Sequence, residues 1–216
     1  QLGFTLEERT RAALFSCAEG AFSVAAERVL TEVQRLLCAP RPEQAALLFR
    51  AGLMAPFTSV RPGKLDGLSA LPPRPLERWA GLCARLDEPP ERFLRALRVE
   101  NRILRPCLAG WTAWRRGLPF DDAGRRRLLA RIGSDAARAA AAMGGSAQLN
   151  ALERVLADRP CVSVGELALS GGELAALGYS GPDIGRAQRM LLDHVLDHPE
   201  DNRREALIGL LGRYTF

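Results

Sequence analysis

The chain has 216 residues, 47% of them hydrophobic and 25% charged, with a formal net charge of +5. That length can hold one large domain or two to three small ones, each with a core, and the mixed charge argues against disorder. The longest charge-free stretch, Ala139 to Leu152, is 14 residues rich in Ala and Gly, short of the roughly 18 apolar residues a spanning helix needs. The sequence therefore predicts no membrane span. The first residues lack a basic flank followed by an apolar block, so they do not read as a signal peptide, and the chain reads as a piece of something longer.

The apolar spacing is helical almost throughout and aromatics are few. Helices are expected over 5–20, 22–38 and 42–53. Next comes a run from Ala55 to Pro75 that holds Pro56, Pro62, Gly63, Gly67, Pro72, Pro73 and Pro75. Pro removes donors and Gly carries an entropy penalty, so this run is expected to be a linker between domains. Further helices are expected over 74–86, 89–116, 121–132, 134–143, 146–158, 163–169, 171–178, 182–197 and 202–212. Gly144 and Gly145 mark a softer boundary. In the last third, Ser163 with Glu166, Ser170 with Glu173, and Ser180 with Asp183 have the spacing of capping boxes, and Asn202 with Glu205 is a looser version. Leu174, Leu177, Ile184, Met190, Leu191, Leu192 and Val195 are expected as the core of these short helices.

Charge is unevenly spread. Residues 1–60 carry 6 basic and 6 acidic residues, 61–140 carry 17 and 9, and 141–216 carry 7 and 10. Of the 30 basic residues all but Lys64 are Arg. A basic middle between neutral and acidic ends suggests a surface that meets a polyanion; a solvated Arg-rich face is the plainer reading. The five cysteines (Cys17, Cys38, Cys83, Cys107 and Cys161) are far apart and form no CxxC pair. This supports neither a zinc knuckle nor a disulfide framework, and most are expected to be buried thiols.

Familiar catalytic signatures are missing. No GxxxxGK, HExxH, GxSxG or GxGxxG occurs, and there is no Asp-x-Asp pair to hold magnesium for nucleotidyl transfer. His194 and His198 lie four apart and could share a metal, but the end of a helix stopped by Pro199 also suits an imidazolium that complements the dipole. No catalytic or metal site is expected from these residues.

Two surfaces could bind an anion. On a single helix from Glu91 to Leu108, Arg95, Arg98, Arg102 and Arg105 would cluster within an arc of roughly 80°, beside an apolar side made of Phe93, Leu97, Leu104 and Leu108, with only Glu91 among them as an acid. Phosphate contact and a solvated face both fit this stripe. The second is the run Leu177-Gly178-Tyr179-Ser180-Gly181-Pro182-Asp183-Ile184-Gly185-Arg186. It reads as a helix, a glycine-rich turn and a new helix start, like the turn of a helix-hairpin-helix module. Ser180, Gly181, Gly185, Arg186 and Arg189 would carry the contact, although the glycines could equally serve close packing.

The same run carries a family resemblance. Residues Cys161 to Arg186, followed by Leu191-Leu192-Asp193-His194-Val195 and by Pro199 with Asn202, resemble the tail of bacterial CCA-adding enzymes, the tRNA nucleotidyltransferases. Gln1-Leu2-Gly3-Phe4 with Glu8 and Thr10 resembles the start of that family's neck. Ala26-Glu27-Arg28-Val29 with Glu32 resembles its neck motif, and Ala51-Gly52-Leu53 the neck's end. Arg78-Trp79 and Leu97-Arg98-Val99-Glu100-Asn101 resemble its body. The likeness covers essentially the whole chain and is weakest over 110–150.

The resemblance implies an all-α, elongated multi-helical array: a neck over 1–58, a linker over 59–73, a body over 74–143 and a tail over 144–216. It implies a cytoplasmic parent enzyme that transfers CMP and AMP from CTP and ATP to the tRNA 3′ end, with magnesium held in a catalytic head. The head's motifs do not occur here, so this chain alone is expected to be inactive and to need no cofactor. Its expected partners are the acceptor and T stems of tRNA and the upstream head, with Glu27 and Arg28 structural in the neck. The alternatives are a helical nucleic-acid-binding adaptor without catalytic function and a helical protein-interaction scaffold.

Overall fold

The computed structural model describes residues 6–18, 23–60, 62, 64–86 and 88–213. Gln1 to Phe4, where the neck resemblance starts, lie outside them. The described residues form α-helices, short 3-10 turns and loops, with no strand. The helices are α1 (Glu8–Ser16), α2 (Ala26–Leu37), α3 (Ala46–Arg50), α4 (Pro75–Leu86), α5 (Glu91–Ala96), α6 (Asn101–Arg115), α7 (Asp122–Ile132), α8 (Ser134–Met143), α9 (Ser146–Ala157), α10 (Gly171–Ala176), α11 (Pro182–Asp197) and α12 (Arg204–Leu211). The all-α expectation holds because apolar spacing at helical period dominates the sequence.

The chain divides into two compact units. The first comprises Gln1–Leu118 and Ser134–Ala151, the second Pro119–Gly133 and Leu152–Phe216. This division differs from the four segments expected. The stretch read as a linker over 59–73 is part of the first unit's core: Leu65, Leu68 and Leu71 are at most 2% exposed. Its prolines and glycines do prevent a helix there, yet every third residue still buries an apolar side chain.

In the first unit, Trp79, Phe49 and Phe93 are buried together, with ring centroids 6.2–6.3 Å apart along the Phe49–Phe93 and Trp79–Phe93 pairs. Arg78 is 3% exposed. Its Nη1 donates to the Leu37 carbonyl at the end of α2 (2.9 Å), and its Nε donates to the Pro72 carbonyl (3.0 Å). A buried guanidinium is tolerated only when such acceptors replace water. Trp79 Nε1 donates to Gln34 Oε1 on α2 (3.3 Å). One dipeptide thus ties α2 to α4, which joins the expected neck and body in one packed unit.

α6 and α8 approach closely because Gly110 faces an alanine-rich helix. A Cβ on Gly110 would lie 2.8 Å from Ala140 N and 2.9 Å from both Ala136 O and Ala139 Cβ. Cys83 and Cys107 are buried thiols in this unit; a mutual hydrogen bond, and burial after it, push the Cys83 thiol well above its ordinary value. Cys161 is buried in the second unit, whereas Cys17 is exposed and Cys38 half-buried.

In the second unit, Leu167, Leu169, Leu174, Ala187, Leu191, Val195, Leu207 and Leu211 form the core, with Ile184, Met190 and Leu192 packed against it. Leu177 is instead 46% exposed. The Ser163/Glu166 and Ser170/Glu173 capping boxes are both formed. The other two expected caps are not. Gly181 is the N-cap of α11 and Arg203 that of α12, and neither makes a side-chain cap hydrogen bond. Asn202 is used otherwise: its Oδ1 accepts from Ala168 N (2.8 Å) and its Nδ2 donates to the Glu166 carbonyl (3.1 Å), stitching the 3-10 turn after Ser163 to the loop after α11.

Candidate nucleic-acid interface

The expected single helix over 89–116 is two. α5 ends at Ala96 with Leu97 as its C-cap, and Arg98 takes a left-handed conformation with φ 57°. Arg98 N donates to Arg95 O and Val99 N to Leu94 O, both at 2.9 Å. This is a Schellman ending, in which a left-handed residue normally is Gly. Here Arg occupies that position, so the composition carries no stop signal. The four arginines therefore do not form one helical stripe: Arg95 lies on α5, Arg98 in the turn, and Arg102 and Arg105 on α6.

All four side chains are exposed, but three have carboxylate partners. Arg95 pairs with Glu91 (2.9 Å), Arg102 with Glu100 (2.5 Å), and Arg98 with Glu27 of α2. The expectation that only Glu91 answers this charge is corrected, because folding brings Glu27 in from 71 residues away. Arg105 has no carboxylate partner among the described residues. Glu27's own backbone N–H holds the Glu27 carboxyl below its ordinary value; burial opposes this, and the Arg98 guanidinium adds to the lowering.

Glu27 and Arg28 also border a groove of about 850 Å³ beside α2, whose apolar walls include Val29, Val33, Leu36, Leu48 and Met54. α2 buries only Val33 and Leu37 within the chain, so much of its apolar side remains open.

The glycine turn has a different logic. α10 closes with Gly178 (φ 98°), where Gly178 N donates to Ala175 O and Tyr179 N to Leu174 O, another Schellman ending. Gly181 combines φ 52° with ψ −125°, a combination open to glycine and little else, and Pro182 follows in the first helical turn. Ser180 and Gly181 are exposed. Ser180 accepts Asp183 N through its backbone carbonyl (3.1 Å) instead of capping with its hydroxyl. Asp183 pairs with Arg186. A carboxylate of the chain therefore lies in the first turn of this helix. Gly185 sits inside α11, where a Cβ would come no closer than 3.5 Å, to Arg189 Nη1, so packing does not demand glycine there. Arg186 and Arg189 are exposed.

Two arginines to which the sequence pattern assigns no role prove structural. Arg126 Nε donates to Leu196 O (2.6 Å) and its Nη2 to Asp197 O (3.3 Å), which satisfies the last carbonyls of α11. Arg127 pairs with Asp193 and with Asp197, the latter at 2.7 Å, and these two carboxylates raise its already high pKa. The signal is present in the Arg125-Arg126-Arg127 run and in the acidic spacing of Asp193 and Asp197. Only the fold says that they meet.

The two histidine rings lie 4.7 Å apart, and each has its own carboxylate neighbour. His194 Nε2 lies 2.7 Å from Asp201 Oδ2, and His198 Nδ1 lies 3.5 Å from Glu200. Among the described residues no group of three or more His, Cys, Asp or Glu side chains could hold a metal ion. No described helix is long and apolar enough to cross a membrane.

Comparison with known proteins finds similarity over part of the chain in one case and over nearly all of it in others. Residues 3–60 match the family described as the probable RNA and SrmB-binding site of polymerase A. A CCA-adding enzyme of Lactobacillus delbrueckii subsp. bulgaricus is 27% identical over 228 residues, covering 98% of this chain and 56% of the relative. That of Geobacillus kaustophilus is 30% identical over 233 residues, with the same coverage. The crystal structure of the Bacillus stearothermophilus CCA-adding enzyme in complex with CTP shares the fold, with a TM-score of 0.66 at 24% identity over 99% of this chain and 58% of that one. The chain spans little more than half the length of the curated relatives it matches. Along almost its whole length, this chain resembles the bacterial CCA-adding enzymes.

Proposed function

We propose that this chain is the neck, body and tail of a CCA-adding tRNA nucleotidyltransferase, and that it holds tRNA by the acceptor and T stems while a catalytic head acts on the 3′ end. The observation that carries this reading is the similarity to CCA-adding enzymes over 98% of the chain against 56% of the relatives' length. The match of residues 3–60 to an RNA-binding family supports RNA as the partner. In the whole protein, CMP and AMP would pass from CTP and ATP to tRNA in the cytoplasm. Magnesium would assist that transfer from the head. The described residues of this chain offer no ligand cluster that fits it, so no step is assigned to them through the metal.

The chain's own contribution is positional. Exposed arginines at Arg95, Arg98, Arg102 and Arg105 suit phosphate, as do Ser180, Gly181, Gly185, Arg186 and Arg189 around the tail turn. Phosphate contacts position a duplex without reading its sequence, and A-form RNA is held mostly by shape and backbone. The open apolar groove beside α2 is the surface that would meet the head, with Glu27 and Arg28 at its border.

The test is binding of labelled tRNA across several salt concentrations, with plain RNA duplex as competitor. Tight, salt-sensitive binding that favours tRNA over duplex is expected. Equal affinity for both would favour a general nucleic-acid adaptor, and no RNA binding would favour a protein scaffold. Incubated with tRNA lacking its 3′ end, magnesium, CTP and ATP, this chain alone should leave the RNA length unchanged.

A further inference from the structure

Three tryptophans occur in the chain, and they have different environments. Trp79 is 0% exposed in the core. Trp111 and Trp114, one turn apart near the end of α6, remain partly open to solvent. Their ring centroids are 5.1 Å apart with planes tilted by 58°. The Arg115 guanidinium carbon lies 5.7 Å from the Trp111 ring and 5.9 Å from the Trp114 ring, close to both. Burial of large aromatic surface is among the strongest contributions to folding. Two neighbouring indoles that keep solvent-facing area therefore call for an explanation.

The charge of this stretch of chain indicates what would cover them. From Asn101 to Leu118 it carries Arg102, Arg105, Arg115 and Arg116 and no carboxylate of its own, with Arg102 paired to Glu100 just before it. A basic protein segment or a cationic ligand would be repelled. A flat, π-faced group attached to an anion suits both the indoles and the arginines. An unpaired nucleotide has that chemistry: its base stacks on an aromatic ring or a guanidinium plane, and its phosphate pairs with nearby arginine. A base inside a duplex has both faces occupied by its neighbours and is not available to such a surface.

We propose that Trp111 and Trp114, with Arg115 beside both rings, form a stacking platform for an unpaired nucleotide of the bound RNA, such as one in a loop. The proposal rests on the RNA-holding reading above and adds a second mode of contact to it. Arginines elsewhere hold backbone phosphates, whereas this platform holds a base face. Its contribution depends on an accessible base and only weakly on salt.

Tryptophan fluorescence of the unaltered chain tests it directly, because Trp79 is shielded and supplies a constant background. The probes are tRNA, a single-stranded RNA dodecamer and a blunt duplex of the same sequence. Single strand and tRNA should quench fluorescence saturably, while duplex binds with little quenching. Trp111→Ala and Trp114→Ala should each weaken single-strand binding by at least about fivefold and leave duplex affinity within about twofold. Trp111→Phe and Trp114→Phe keep an aromatic face, so they should retain most of the affinity even if an alanine variant fails to fold. Equal quenching by duplex and single strand would overturn the platform. So would a folded Trp111→Ala/Trp114→Ala variant that holds the single strand as tightly as the parent. Salt-sensitive binding of tRNA with no quenching would remove the platform alone, whereas no binding of any RNA would remove the RNA-holding reading with it.

Discussion

Glu27, in the first turn of α2, forms an ion pair with Arg98 across 71 residues of sequence. The pair connects two stretches that each resemble a different part of the family, one in the neck and one in the body. It also engages one of the arginines proposed for phosphate contact. Both side chains are more than half exposed, so the pair contributes modestly to stability and is screened by salt.

The Arg98 backbone is the more consequential feature. Its φ of 57° is a conformation that glycine adopts without steric penalty. Arg98→Gly should therefore stabilise the fold by about 1 kcal/mol and raise Tm by a few degrees, despite losing the Glu27 pair. Arg98→Ala keeps the strained backbone and loses the pair, so it should not raise Tm. Thermal unfolding of both variants checks this.

Electrostatic holding of RNA can be read from the salt slope. Removing one phosphate-facing arginine should flatten the plot of log affinity against log salt by about 0.9 or less. Arg105→Ala should flatten it by at most about 0.9, and Arg98→Ala with Arg102→Ala by at most about 1.8. Glu27→Gln releases Arg98 and should tighten binding at low salt. An unaltered slope in the double variant would make these arginines a solvated face.

Glu173 provides a pH test in the second unit. The Ser170 backbone N–H, then the Arg204 guanidinium and the Ser170 hydroxyl, lower its carboxyl from an ordinary 4.5 to about 2. A folded-state pKa below the unfolded one stabilises the fold above the ordinary carboxylate range. That contribution is lost as pH falls from about 4.5 towards 2. An NMR titration should place the Glu173 midpoint near 2. Arg204→Ala should move it upward without restoring the ordinary value, because both Ser170 donors remain.

Gly110→Ala should destabilise the first unit. The added carbon would sit within 3 Å of the backbone of α8, which cannot move aside as a flexible side chain would. Overpacking of this kind costs roughly 1–3 kcal/mol. Denaturant unfolding should show a lower midpoint with an unchanged slope. At Gly185, inside α11 and with room for a Cβ, the same substitution should stabilise by roughly 0.5–1 kcal/mol.

The sequence by itself determined the all-α class and most helix positions. Apolar spacing at helical period is a local property, and breaks at Pro199 and the Ser163 and Ser170 caps are local chemistry. It also held the family likeness, because the tail motifs are contiguous. Only the tertiary structure decided where the units divide, since Leu65, Leu68 and Leu71 lie in a Pro- and Gly-rich run that reads as a linker but packs as core. It decided the break at Arg98, where a left-handed backbone is carried by a residue that does not announce it. It also decided which arginines are engaged. Arg98 meets Glu27, and Arg127 meets Asp193 and Asp197, through distances that no local pattern encodes. Charge in a sequence gives composition, whereas partnership depends on which surfaces folding brings within a few ångströms of each other.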